Sequence, residues 1–198
     1  AVAPGFSDIH SHADLNLIVE PRAESRIRQG VTLEVVGQDG SSIRWSPQEA
    51  EERRDRYRRD YGVELDFRDL GGFLDHLDRN PVAVNVASMV GHGTVRGAVV
   101  GYDDRPATEG ELAGMRALVE EGLAQGAVGL SSGLEYTPGG FADRAELVAL
   151  AGAPRGTPYP YASHMRNEDD ALLSALEELL HVGRLAGVPV QVSHLKAQ

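Results

Sequence analysis

At 198 residues, 41% of them apolar and 25% charged, the chain is long enough to bury one substantial core and has the balance of an ordinary globular protein. Its 19 basic and 30 acidic residues leave a net charge of −11, which argues against nucleic-acid and membrane-surface partners because such a surface repels phosphates and anionic lipids. The absence of cysteine rules out disulfides, zinc–thiolate sites and cysteine nucleophiles and fits a reducing, cytoplasmic setting, while no apolar run approaches the ~18 residues of a membrane span.

Short apolar runs then alternate with helix-like segments. The first predicted strand, Gly5–His10, closes on a His-x-His pair. On a strand, side chains at i and i+2 share a face, so His10 and His12 leave it together, an arrangement suited to chelating a divalent cation through neutral imidazole nitrogens. Polar strand-end residues bonded to loops are the alternative. The second strand, Val31–Val36, runs into Gly37-Gln38-Asp39-Gly40, where Asp39 reads as a metal ligand or as a turn residue.

Ser46-Pro47-Gln48-Glu49 has the form of a capping box with proline at the first helical position. The arginine-dense stretch 49–60 that follows offsets its own charge through i,i+4 pairs such as Glu49/Arg53, Glu52/Arg56 and Asp55/Arg59, the mark of a solvated helix. The third strand, Val82–Ser88, leads to Gly91-His92-Gly93, in which His92 reads as a substrate-loop residue, a support for metal ligands or a structural turn.

A second capping box, Thr108-Glu109-Gly110-Glu111, opens the next helix, and the fourth strand, Ala127–Ser131, runs into Ser132-Gly133-Leu134-Glu135-Tyr136. The fifth strand, Tyr159–Ser163, ends at His164, with Arg166 just beyond. A helix is predicted from Asn167, whose acids Glu168, Asp169 and Asp170 suit a helix N-terminus, with Leu172, Leu176, Leu179, Leu180 and Gly183 on its apolar face. After Gly187, the sixth strand, Val188–Ser193, ends at His194 and Lys196. His76 and His181 fall inside helices and read as structural residues.

Continuous Val-rich runs separated by helices indicate a parallel sheet in an α/β fold, either doubly wound or a (β/α)8 barrel. The barrel is the reading adopted: a partial TIM barrel of about six βα units, with residues 1–198 an incomplete catalytic barrel lacking its last units. All C-terminal strand ends of such a barrel face one mouth, and His or Asp recurs at four of them. An open piece of this kind exposes a sheet edge, so aggregation or dependence on further segments is expected of it.

These motifs carry a resemblance. Pro4-Gly5-Phe6-Ser7-Asp8-Ile9-His10-Ser11-His12 resembles the first-strand motif of the amidohydrolase superfamily. Gln29-Gly30-Val31-Thr32, Gly91-His92-Gly93, Ser132-Gly133-Leu134-Glu135-Tyr136, His164-Met165-Arg166-Asn167-Glu168 and Ser193-His194-Leu195-Lys196 are similar, in order and spacing, to the N-acyl-D-amino-acid deacylases (D-aminoacylases).

The resemblance implies a metal-dependent hydrolase of this barrel type, with a small N-terminal β domain outside these residues. Its substrates would be small N-acyl-D-amino acids, cleaved to a carboxylate and a free D-amino acid. It implies one or two Zn2+ ions, with His10 and His12 at one metal position and His164 and His194 holding the tight zinc. Tyr136 is then expected near the scissile group and Lys196 on the substrate carboxylate, with Arg166 as a second candidate there and His92 as a possible aid to catalysis.

Two departures stand out. The turn after the second strand carries Asp39 where characteristic members have a cysteine that bridges the metals, and a carboxylate is the harder ligand. The family's catalytic Asp, on an eighth strand, is expected beyond Gln198, so residues 1–198 alone are expected to be inactive. Rival readings are a catalytically incompetent metal-binding fragment and a cyclic-amide hydrolase of the dihydroorotase or hydantoinase kind. The latter bridges its metals with a carboxylated lysine on strand 4, and Ala127-Val128-Gly129-Leu130-Ser131 has none.

Overall fold

A computed structural model describes residues 2–196. Strands β1 (Phe6–Asp8), β2 (Val31–Val36) and β3 (Asn85–Ser88) form one parallel sheet in that order; β4 (Val90–Gly91), β5 (Leu130–Gly133), β6 (Tyr161–His164) and β7 (Val190–Val192) form another. The two sheets are one row of strands. β3 and β4 are a single extended segment interrupted at Met89, whose amide still donates to the Val36 carbonyl, and Val128 donates to Ser88 across the junction. Six extended segments, all parallel, match the expected number and direction.

Boundaries differ for physical reasons. β2 spans the expected residues, but β5 begins three residues later than predicted, after Gly129. That glycine has φ 155°, and the Pro160 carbonyl lies 2.5 Å from where a Cβ would stand. Burial on both faces holds for β5 and β6, where every residue is buried. It fails for β1 and β7, the two ends of the row, which lack a neighbour on one side; Phe6 is 68% exposed. A link nevertheless joins these ends: the Ile9 carbonyl accepts from Gln38 at 3.0 Å and from Gln191 at 3.3 Å.

The helices are α1 (Asn16–Val19), α2 (Glu24–Ile27), α3 (Pro47–Tyr61), α4 (Leu70–Arg79), α5 (His92–Val99), α6 (Glu109–Ala124), α7 (Arg144–Ala151) and α8 (Leu172–Ala186). Both predicted capping boxes form, at Ser46/Glu49 and Thr108/Glu111. Phe73 of α4, Met115 and Val119 of α6, Leu147 and Leu150 of α7, and Val182 of α8 are buried with Val36, Val90 and Leu130 in a single apolar core. Such burial, at ~25 cal/mol per Å2, is the main force holding helices to strands.

Three expectations are corrected. The arginines of α3 pair mainly outside the i,i+4 register, Arg58 with Glu64 and Arg59 with Asp60, while Arg53 lies over the Trp45 ring. α8 starts at Leu172 rather than Asn167, because the Asn167 side chain accepts from the amides of Asp169 and Ala171 and closes a turn there. Leu180 leaves the apolar stripe and is 41% exposed, being one residue, about 100° of helix, past the buried Leu179.

Candidate metal centre

β1 ends at Asp8, short of the histidines, yet the Ser11 amide still donates to Val35, so His10 and His12 continue along β2. Their ring centroids are 5.1 Å apart. Asp39 occupies the turn after β2 in the left-handed region, at φ 52° between Gly37 and Gly40 at 73° and 78°. Aspartate tolerates that conformation better than most residues, at a cost of about 1 kcal/mol.

The surroundings hold the turn in place. Asp14 accepts from the Gly37 amide at 3.1 Å, the Ser131 hydroxyl donates to the Gly37 carbonyl at 2.6 Å, and the Gly40 amide donates to that hydroxyl oxygen at 3.2 Å. Gly133 presses so closely that a Cβ there would stand 2.3 Å from the Asp39 carbonyl oxygen. The turn is thus fixed by contacts from neighbouring segments rather than being a free reversal of the chain.

One carboxylate oxygen gathers the histidines. Asp39 Oδ2 lies 3.2 Å from His12 Nε2, 3.5 Å from His10 Nε2 and 3.8 Å from His164 Nδ1. His164 Nδ1 is 2.9 Å from His194 Nε2, and the His10 and His194 rings are 5.3 Å apart. Ligands at 2.0–2.2 Å around a tetrahedral ion are separated by roughly 3.3–3.6 Å, close to these spacings. Asp39 Oδ1 and His10 Nδ1 are buried without hydrogen-bond partners among the described residues. The donor set, imidazole with carboxylate and no thiolate, fits Zn2+ or a similar borderline cation.

Electrostatics agree. Burial lowers the His10 pKa, and the neighbouring His12 and His194 add to this while Asp39 opposes it, so the imidazole favours its neutral, ligating form. Burial raises the Tyr136 phenol, as do Asp39, Glu135 and Glu168, which keeps it a neutral donor. Its ring lies 4.7 Å from that of His164.

Two carboxylates that the sequence reading gave no role at the site complete the arrangement. Glu135 Oε2 lies 2.8 Å from His164 Nε2, and Glu168 Oε1 lies 2.5 Å from His194 Nδ1. Lys196 Nζ is 2.8 Å from Glu168 Oε2. Burial opposes the Glu168 charge, but Lys196 and the two imidazoles outweigh it and hold its pKa below the ordinary value. Glu168 had the look of a helix-start acid; instead it is 1% exposed and turned inward.

The other candidates lie outside this cluster. His92 opens α5 with no solvent exposure, its Nε2 2.8 Å from Glu146, which also pairs with Arg96. His92 is thus sealed in the interior and held by Glu146. Arg166, offered for the substrate carboxylate, is committed to Glu178 at 2.9 Å and to the carbonyls of Gly140 and Ala142. His76, as expected, is structural, bonded to Asp66 at 2.6 Å.

A cleft of about 370 Å3 opens beside Asp39, His12 and Tyr136. Ser41, Gly93, Thr94 and Tyr102 line both it and a larger cleft of about 840 Å3 next to Trp45.

No family model matches the chain. It is 40% identical over 196 residues to the D-aminoacylase of Alcaligenes xylosoxydans xylosoxydans, covering 98% of this chain and 40% of that protein. A crystal structure of D-aminoacylase, described as defining a subset of amidohydrolases, superposes with a TM-score of 0.85 at 37% identity, covering 98% of this chain and 41% of that one. The N-acyl-D-glutamate deacylase of Bordetella bronchiseptica, solved with zinc and a phosphonate mimic of the tetrahedral intermediate, superposes with a TM-score of 0.81 at 34% identity, over 95% and 39% of the two chains. The chain thus spans about two fifths of the length of the relatives it matches.

Proposed function

Because the chain belongs to the D-aminoacylase family of amidohydrolases, we propose that it forms the metal-binding mouth of a partial (β/α)8 barrel in an N-acyl-D-amino-acid deacylase. The reaction is hydrolysis of the amide of a small N-acyl-D-amino acid. The observation that carries this reading is the convergence of His10, His12 and His164 on one Asp39 oxygen, with His194 adjoining.

Asp39, His164 and His194 would hold the principal ion, taken as Zn2+, and His10 and His12 a second. Held there, an ion would supply Lewis acidity to polarise the amide carbonyl and make water a better nucleophile near neutral pH. The chain's own residues bind and orient. Tyr136, a neutral phenol at the rim, donates a hydrogen bond to the carbonyl oxygen as charge develops there. Lys196, half exposed, offers its ammonium to the substrate carboxylate while Glu168 holds it in place. The eighth-strand Asp that the family resemblance implies would take the proton of the attacking water and pass it to the leaving amine.

The test is metal content together with turnover of the full-length protein on N-acetyl-D-amino acids, N-acetyl-L-amino acids and hydantoins. Zinc-dependent release of the D-amino acid is expected. Cleavage of hydantoins alone would overturn the reading in favour of a cyclic-amide hydrolase.

A further inference from the structure

We propose that Glu168 and Glu135 are positioning residues that select which ring nitrogen His194 and His164 turn toward Asp39. The inference rests on the metal-site reading above. An imidazole has two nitrogens, and the hydrogen bond made by one fixes which of them carries the proton. Glu135 Oε2 sits 2.8 Å from His164 Nε2, and Glu168 Oε1 sits 2.5 Å from His194 Nδ1. Each carboxylate is an acceptor, Glu135 in a hydrogen bond with His164 Nε2 and Glu168 in a close ion-pair contact with His194 Nδ1, so each favours a proton on the outer nitrogen it faces. The lone pairs left over, on His164 Nδ1 and His194 Nε2, face each other at 2.9 Å. Two such lone pairs repel unless a cation lies beside both, so the carboxylates prepare the pair for an ion.

Glu168 could instead be a ligand. Its Oε1 lies 2.5 Å from His194 Nδ1 and 3.9 Å from His164 Nε2, and the three residues offer ligand atoms within 4.8 Å of one another. Two observations favour orientation over ligation. Lys196 Nζ is 2.8 Å from Glu168 Oε2, and an ammonium there repels a cation bound to the same carboxylate. Ligation through the outer nitrogens would also turn both lone pairs away from Asp39, leaving His10 and His12 to share its oxygen without His164.

The experiment uses the full-length protein, zinc alone as probe and 15N-labelled histidine. Zinc affinity is read by competition with a chromophoric chelator, and ring tautomers by 15N shifts in the zinc-free protein. Wild type is expected to show His194 protonated on Nδ1 and His164 on Nε2. Glu168→Gln should weaken zinc binding about 10–100-fold and mix the His194 tautomers, because a carboxamide is a weaker acceptor. Glu135→Gln should do the same to His164; its side chain is 39% exposed, so this variant carries the test if Glu168→Gln does not fold. Tautomers and zinc affinity unchanged in both variants overturn the proposal whatever the activity. A protein that shows the tautomer dependence and binds zinc but cleaves no N-acyl-D-amino acid upholds it and sinks the hydrolase reading.

Discussion

His164 Nδ1 and His194 Nε2 stand 2.9 Å apart, joining the ends of two neighbouring strands at the rim where Asp39 lies. A bound ion there ties β2, β6 and β7 together, so metal and folding stability are linked. Chelator treatment of the zinc-loaded protein should lower its thermal midpoint. A loaded site with zinc at 100 times its Kd is worth about 2.7 kcal/mol. His164→Ala should melt at the same temperature with and without chelator. A chelator effect of equal size in that variant would show that the ion binds elsewhere.

Asp39 stands where the family resemblance implies a cysteine in characteristic members. Asp39→Cys should therefore retain zinc at least as well and, loaded with Co2+, gain a thiolate-to-metal charge-transfer absorption. Asp39→Ala should lose most bound metal. Cobalt spectra indistinguishable between Asp39→Cys and wild type would place Asp39 outside the coordination sphere.

Tyr136→Phe removes the phenol hydroxyl and leaves the histidines in place. If that hydroxyl stabilises the developing oxyanion, kcat should fall roughly 100- to 1,000-fold with metal content unchanged. A loss confined to KM would assign Tyr136 to substrate binding alone.

Glu146 is buried between His92 and Arg96, both without solvent exposure. Burial alone would raise its pKa, but the hydrogen bonds and charges of His92 and Arg96 prevail and hold it below the ordinary value. Glu146→Gln leaves the Arg96 charge uncompensated in the interior, a loss of roughly 3–5 kcal/mol. Urea unfolding of the variant measures it, and a change under about 1 kcal/mol would contradict the ion-pair account.

Tyr161 is fully buried, with its hydroxyl 2.7 Å from Ser132. Burial pushes its phenol up to about 12, against the pull of hydrogen bonds with Ser132 and Ser163, from an unfolded value of 10.0. Between those values the unfolded chain releases a proton that the folded one keeps. This contribution to stability is complete below about pH 10 and is lost as pH rises to about 12, amounting to roughly 3 kcal/mol. Denaturant unfolding across that window should show the decline in wild type and a shallower one in Tyr161→Phe.

The order and direction of the strands were legible because continuous apolar runs can be buried only in a covered parallel sheet, and β2 matches its predicted bounds residue for residue. The clustered histidines were legible as polar residues that end such runs. Glu168 was not, because Asn-Glu-Asp-Asp satisfies the local rule for a helix start. The Asn167 side chain closes a turn ahead of the helix instead, while Glu168 turns to His194 and Lys196. The setting of His92 was hidden for a related reason. Its flanking glycines suggest an open turn, whereas its partner Glu146 lies 54 residues away and leaves no local trace.

The shared carbonyl of Ile9 gives the molecule a mechanical property. Gln38, beside Asp39, and Gln191, three residues before His194, both grip that one oxygen. Any breathing motion that separates the outermost strands must therefore strain the tether and spread His10 from His194. Grip on a cation and closure of the strand row become a single degree of freedom, so loosening either one slackens the other.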